Sequence, residues 1–62
     1  MNKIKYLREK ANMTQAQLAQ KVGVSQKAVA KWEVGRSLPR ADKLVCLANA
    51  LDSSVDELLR QS

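Results

Sequence analysis

The chain has 62 residues, with 11 Lys and Arg against 6 Asp and Glu, a net charge of +5 and a pI near 9.8. At this length only about 60% of the unfolded surface can be buried, which leaves room for one small domain, residues 1–62, and none for a catalytic domain beside a cofactor domain. With no His and one Cys, Cys46, zinc sites built from Cys and His, Ser–His or Cys–His catalytic pairs and an internal disulfide are all excluded.

Alanine and leucine dominate the apolar residues, and strand-like β-branched and aromatic runs are missing, which predicts helices throughout. An apolar content of 45% suffices for a packed core. The first helix is predicted over about Asn2 to Asn12: Ile4, Leu7 and Ala11 recur on one face, with Lys3, Lys5, Arg8 and Lys10 around the remainder as a solvated surface. Thr14-Gln15-Ala16-Gln17 has the capping-box pattern, and Met13 and Leu18 flank it as a hydrophobic staple. The second helix therefore covers Gln15 to Val22, with Leu18, Ala19 and Val22 inward and Gly23 as a left-handed stop.

After Val24, Ser25 caps a third helix that Gly35 ends, giving Gln26 to Val34. Val29 and Trp32 are its inward residues. At about 100° per residue, Lys27, Ala30, Lys31 and Val34 point the other way, and Gln26 lies on the exposed first turn. A short outward side chain, Ala30, between two lysines lets such a helix lie close against something negative.

Gly35 to Pro39 reads as a loop, and Pro39 suits the entrance of a fourth helix. There Ala41, Leu44, Leu47, Ala48 and Leu51 form the strongest periodic stripe in the chain, with Cys46 off it as a partly exposed, incidental thiol. Asp52-Ser53 breaks the pattern. Ser54-Val55-Asp56-Glu57 repeats the capping-box pattern and opens a short fifth helix whose apolar residues are Val55, Leu58 and Leu59. No apolar run approaches a membrane span, the first residues lack the apolar stretch of a signal peptide, and a lone thiol suits the reducing cytoplasm.

Gln15 to Val34 is thus a pair of helices joined by a tight glycine turn, the layout of a helix-turn-helix, with the small Ala19 where the two cross. The stretch TQAQLAQKVGVSQKAVAKWEVGRSLP resembles the Cro/cI phage-repressor-type (XRE) family, and LVCLANALDSSVDELL resembles its fourth and fifth helices. The likeness runs from about Ile4 to Leu59. It implies an all-α, compact five-helix lambda-repressor-like fold and a sequence-specific transcriptional regulator, a repressor acting as a homodimer on a two-fold operator of double-stranded DNA. Carried over position by position, it implies that Gln26, Lys27 and Lys31 read base edges and that Gln15, Ser25, Arg36 and Ser37 hold the DNA backbone. It implies no catalytic residue, cofactor, metal, small-molecule ligand or membrane.

The sequence departs from the family pattern at three places. Arg40 stands where a Ser or Thr cap is common, Asp52-Ser53 replaces a common glycine–apolar pair, and Val34 replaces a frequent polar residue.

Further expectations concern packing and assembly. Trp32 belongs to the core, and Glu33 pairs with a basic neighbour, Arg8. Arg8 itself is a candidate for a phosphate or a structural contact. With no separate dimerisation domain in view, the dimer surface falls on Val55, Leu58 and Leu59, with Leu59 outside the monomer core. Two other functions fit the fold: an antitoxin or restriction-system controller that also binds DNA, and a protein-binding adaptor without DNA affinity. Lys27 and Lys31 count against the adaptor.

Overall fold

A computed structural model describes residues 3–60, in which the chain forms α1 (Ile4–Lys10), α2 (Gln15–Val22), α3 (Gln26–Glu33), α4 (Ala41–Ala50) and α5 (Val55–Leu59). The first four helices end in the same way. A residue in the left-handed region follows each, and the next residue donates its amide back to a carbonyl of the last turn, the Schellman closure. The left-handed residues are Asn12 (φ 61°), Gly23 (φ 76°), Gly35 (φ 79°) and Asp52 (φ 53°). The closing bonds run from Met13 to Arg8 (3.1 Å), Val24 to Ala19 (2.9 Å), Arg36 to Lys31 (2.9 Å) and Ser53 to Ala48 (2.8 Å). Each reversal takes a few residues, so five short helices fold back within extents of 24 × 22 × 20 Å.

Starts are fixed less uniformly. Thr14 and Gln17 form the full capping box at 3.1 and 2.8 Å. Ser25 accepts the Ala28 amide at 3.2 Å and Ser54 the Glu57 amide at 3.1 Å. The second half of the expected box at Ser54 is replaced, because the Glu57 carboxylate turns to Lys3 (3.4 Å) and Arg60 (3.8 Å). Arg40 occupies the α4 N-cap with no side-chain capping bond.

The core consists of Ile4, Leu18, Ala19, Val22, Val29, Trp32, Leu47, Ala48, Leu51 and Leu58, with Leu7, Met13, Val24 and Val55 half-buried against it. α2 packs chiefly on α3 and then on α4, α4 on α5, and α1 on α3 and α5. The backbone amide of Lys3 also donates to the Leu58 carbonyl at 3.0 Å, tying the start of α1 to α5.

Three expectations need correction. α1 stops at Lys10, because Asn12 turns left-handed, and this leaves Ala11 exposed instead of on the buried face. The predicted first residue, Asn2, lies outside the described residues. α3 stops at Glu33, with Val34 already in the cap. Leu58 is fully buried in the monomer and has no surface to offer a second copy, so of the three residues expected at a dimer interface only half-buried Val55 and exposed Leu59 reach solvent.

Candidate nucleic-acid interface

α2 and α3 meet around Gly23. Its left-handed backbone lets the chain pass from one helix to the next with only Val24 before the Ser25 cap. The last carbonyl of α2, on Val22, accepts a hydrogen bond from Lys43 Nζ at 3.1 Å, so α4 clasps the turn from behind. Sequence reasoning missed this contact: a lysine beside an apolar stripe reads as solvated, and its target is 21 positions away.

α3 turns Val29, Trp32 and Glu33 inward and leaves Gln26, Lys27, Lys31 and Val34 exposed, with Ala30 half-buried between the lysines. The expected inward residues and the expected outward face are thus both found where the wheel puts them. Trp32, 6% exposed, is part of the core. The following loop exposes Arg36, Ser37 and Leu38, while Pro39 is buried and anchors its far end.

The backbone-contact candidates sit at the two helix starts and in this loop. The Ser25 hydroxyl accepts the Ala28 amide and keeps its own hydrogen to donate. Gln15 opens α2, half-buried, and its Nε2 donates to Glu33 Oε1 at 2.9 Å. Glu33 also binds Arg8: Nε donates to Oε2 at 2.6 Å and Nη2 to Oε1 at 3.3 Å. Arg8 Nη1 reaches the Met13 carbonyl at 2.7 Å. The expected Arg8–Glu33 pair therefore exists, and it makes Arg8 a buried structural group rather than a surface cation. The hydrogen bond to Glu33, aided by the attraction of its charge, raises the Arg8 pKa above the ordinary value against the opposing effect of burial.

Burial of Glu33 has an electrostatic consequence. From Thr14 to Arg40 it is the only acid, whereas Lys21, Lys27, Lys31, Arg36 and Arg40 are all exposed. Among the described residues none of these five cations has a carboxylate within 4.0 Å. Two lysines at the start and end of α1 are engaged elsewhere: Lys3 pairs with Glu57, and Lys3 and Lys10 lie 5.7 and 5.9 Å from the centre of the Tyr6 ring. The outward surface of α2, α3 and the loop thus carries uncompensated positive charge, hydrogen-bond donors and a glutamine. Such groups can meet phosphates and base edges.

The helix-turn-helix family model matches residues 4–58. The chain is 45% identical over 51 residues to the cryptic phage CTXphi transcriptional repressor RstR of Vibrio cholerae, covering 82% of this chain and 46% of that protein. It is 40% identical over 57 residues to the HTH-type transcriptional activator BcrR of Enterococcus faecalis, covering 92% and 28%. The crystal structure of the P22 c2 repressor protein in complex with synthetic operator 9T in the presence of Tl+ superposes with a TM-score of 0.89 at 37% identity, over 95% of this chain and 89% of that one. The chain spans between about a quarter and a half of the curated relatives it matches. Family match, sequence identity and superposition agree: this chain belongs to the helix-turn-helix family of the phage-repressor (XRE) type, a family of DNA-binding transcriptional regulators.

Proposed function

We propose that this chain binds double-stranded DNA with α3 in the major groove and represses transcription as a homodimer on a two-fold operator. The observation that carries the reading is the unpaired positive surface from Lys21 to Arg40, whose only intervening acid is buried. Gln26, Lys27 and Lys31 read base edges, since glutamine suits adenine and lysine suits guanine there. Gln15, Ser25, Arg36 and Ser37 hold the backbone on either side of the groove. Two of the relatives named for a role are phage repressors, RstR and the P22 protein, which favours repression by occupancy of promoter DNA. One α3 reads only a few base pairs, so a specific site requires two copies related by a two-fold axis. The work takes place in the cytoplasm and needs no cofactor.

The test is selection of duplexes from a random pool by the intact chain. The expected product is an inverted repeat with half-sites about 34 Å apart centre to centre. On the selected duplex, Lys27→Ala should lose about 1–3 kcal/mol of discrimination at one base pair of each half-site with folding unchanged. Arg36→Ala should instead weaken all sequences alike and flatten the slope of log affinity against log salt by about 0.9 per phosphate released. A pool that yields no enriched duplex, or affinity indifferent to salt, would refute DNA binding and favour the protein-binding adaptor.

A further inference from the structure

We propose that Glu33 is a positioning residue for DNA contact: it fixes the side-chain amide of Gln15 so that an N–H, and not the carbonyl oxygen, faces the phosphate at the start of α2. This rests on the DNA-binding reading above. Arg8 and Glu33 are 8% and 6% exposed. An ionised carboxylate only accepts hydrogen bonds, so the Gln15 amide has to turn its nitrogen toward Glu33, as the 2.9 Å contact records. An amide nitrogen carries two hydrogens. One is held by Glu33, and the second remains to donate at the amino end of α2, where backbone amides and the helix dipole favour an anion.

Without Glu33 the amide can rotate and present its oxygen, which repels phosphate. The same ion pair holds the backbone just ahead of the helix, because Arg8 Nη1 binds the Met13 carbonyl at 2.7 Å, immediately before the Thr14 cap. One buried pair thus fixes both the approach of the chain to α2 and the first side chain on it. A pair kept for stability alone would need the Arg8 contacts and no bond to a half-exposed glutamine.

The experiment is a double-mutant cycle on the duplex selected by the parent chain. Removing either charge alone strands the other in the core. The pair is therefore replaced together, Arg8→Met with Glu33→Leu, a change that buried ion pairs tolerate. Gln15→Ala is then measured in both backgrounds. In the parent it should weaken binding roughly tenfold or more, the worth of one hydrogen bond to a charged group. In the replaced background, where the amide is already unheld, the further loss should fall below about twofold. The salt slope should be the same in both backgrounds, since neither buried charge touches phosphate. An equal Gln15→Ala loss in both backgrounds overturns the Glu33 role.

A second measurement needs no variant. In the DNA-free chain one side-chain amide proton of Gln15 should exchange more slowly than those of exposed Gln20 and Gln26. Equal exchange at all three glutamines also overturns the role. Failure of the parent to select any duplex overturns the DNA reading itself, a result separable from either of these.

Discussion

Asp52 is the residue whose replacement should stabilise this fold. It has two disadvantages at one position. Its φ of 53° lies in the left-handed region, and it follows the last turn of α4, where unpaired carbonyls make the helix end negative. For most L-residues the left-handed conformation costs roughly 1–2 kcal/mol, less for Asp and Asn because they bond locally. A carboxylate at a helix C-terminus costs about 0.3–1 kcal/mol at low ionic strength when exposed. Asp52→Asn removes the charge and keeps the backbone tolerance, so its gain should be the electrostatic part alone. Asp52→Gly also removes the backbone penalty. It gives back about 0.4–1 kcal/mol through the greater freedom of the unfolded chain, which leaves it close to Asn. Asp52→Ala removes the charge but retains the full penalty of a Cβ at positive φ, and should fall below both.

For a domain of this size, about 1 kcal/mol moves the melting temperature by roughly 4–8 °C, well within reach of thermal unfolding followed by circular dichroism. Repeating the melts in 1 M salt should shrink the advantage of Asn and leave the gap between Gly and Ala intact, because only the charge is screened. An Ala variant as stable as the Gly and Asn variants would show that the left-handed backbone carries no penalty here and would sink the reasoning.

Three further outcomes are expected. Trp32→Ala should cost about 3–5 kcal/mol and leave most of so small a chain unfolded, read from the circular dichroism signal at room temperature. Lys43→Met keeps the aliphatic stem but loses the bond to the Val22 carbonyl, so the melt should show a loss of about 1 kcal/mol, with backbone amide exchange accelerating around Gly23. Leu59→Glu should leave the monomer folded, because Leu59 is 44% exposed. If the proposed homodimer forms through α5, sedimentation should show lower self-association and weaker cooperativity of binding to a two-fold duplex; unchanged cooperativity would refute a dimer surface at Leu59.

The helices were legible because their ends are written in local chemistry. Thr14, Ser25 and Ser54 each accept the backbone amide three residues on, and Gly23 and Gly35 each take a positive φ. The other two left-handed closures were not legible. Asn12 and Asp52 serve as readily inside turns or at helix starts, so residue type alone does not select the left-handed role, although the resemblance places Asp52 where the family commonly has glycine. The outward side of α3 was legible from Val29 and Trp32, because two inward residues three apart mark which side of a short helix faces the core. Contacts across the chain were harder. Arg8 and Glu33 could be matched as opposite charges, whereas the Gln15–Glu33 and Lys43–Val22 bonds depend on how helices cross, which periodicity does not report. Leu58 and Leu59 are neighbours of identical type, and only the rotation of α5 decides that the first is buried and the second exposed.

The ion pair also explains how a marginal core holds its most important helix in one orientation. Apolar burial is non-directional: Val29 and Trp32 draw α3 inward without strictly fixing its rotation. Glu33 is next to Trp32, and a turn of one residue, about 100°, would carry it from the interior toward the lysines. There it would cancel part of the charge that Lys27 and Lys31 present. A buried pair of this kind contributes little net stability, since desolvation offsets the attraction. What it does supply is direction, through bonds of 2.6 and 3.3 Å to α1 and 2.9 Å to α2. The rotation that satisfies these bonds is the one that leaves the outward face of α3 free of acids, with Lys27 and Lys31 its only charges. The sign of this candidate DNA-facing surface and the packing of the core therefore depend on the same carboxylate.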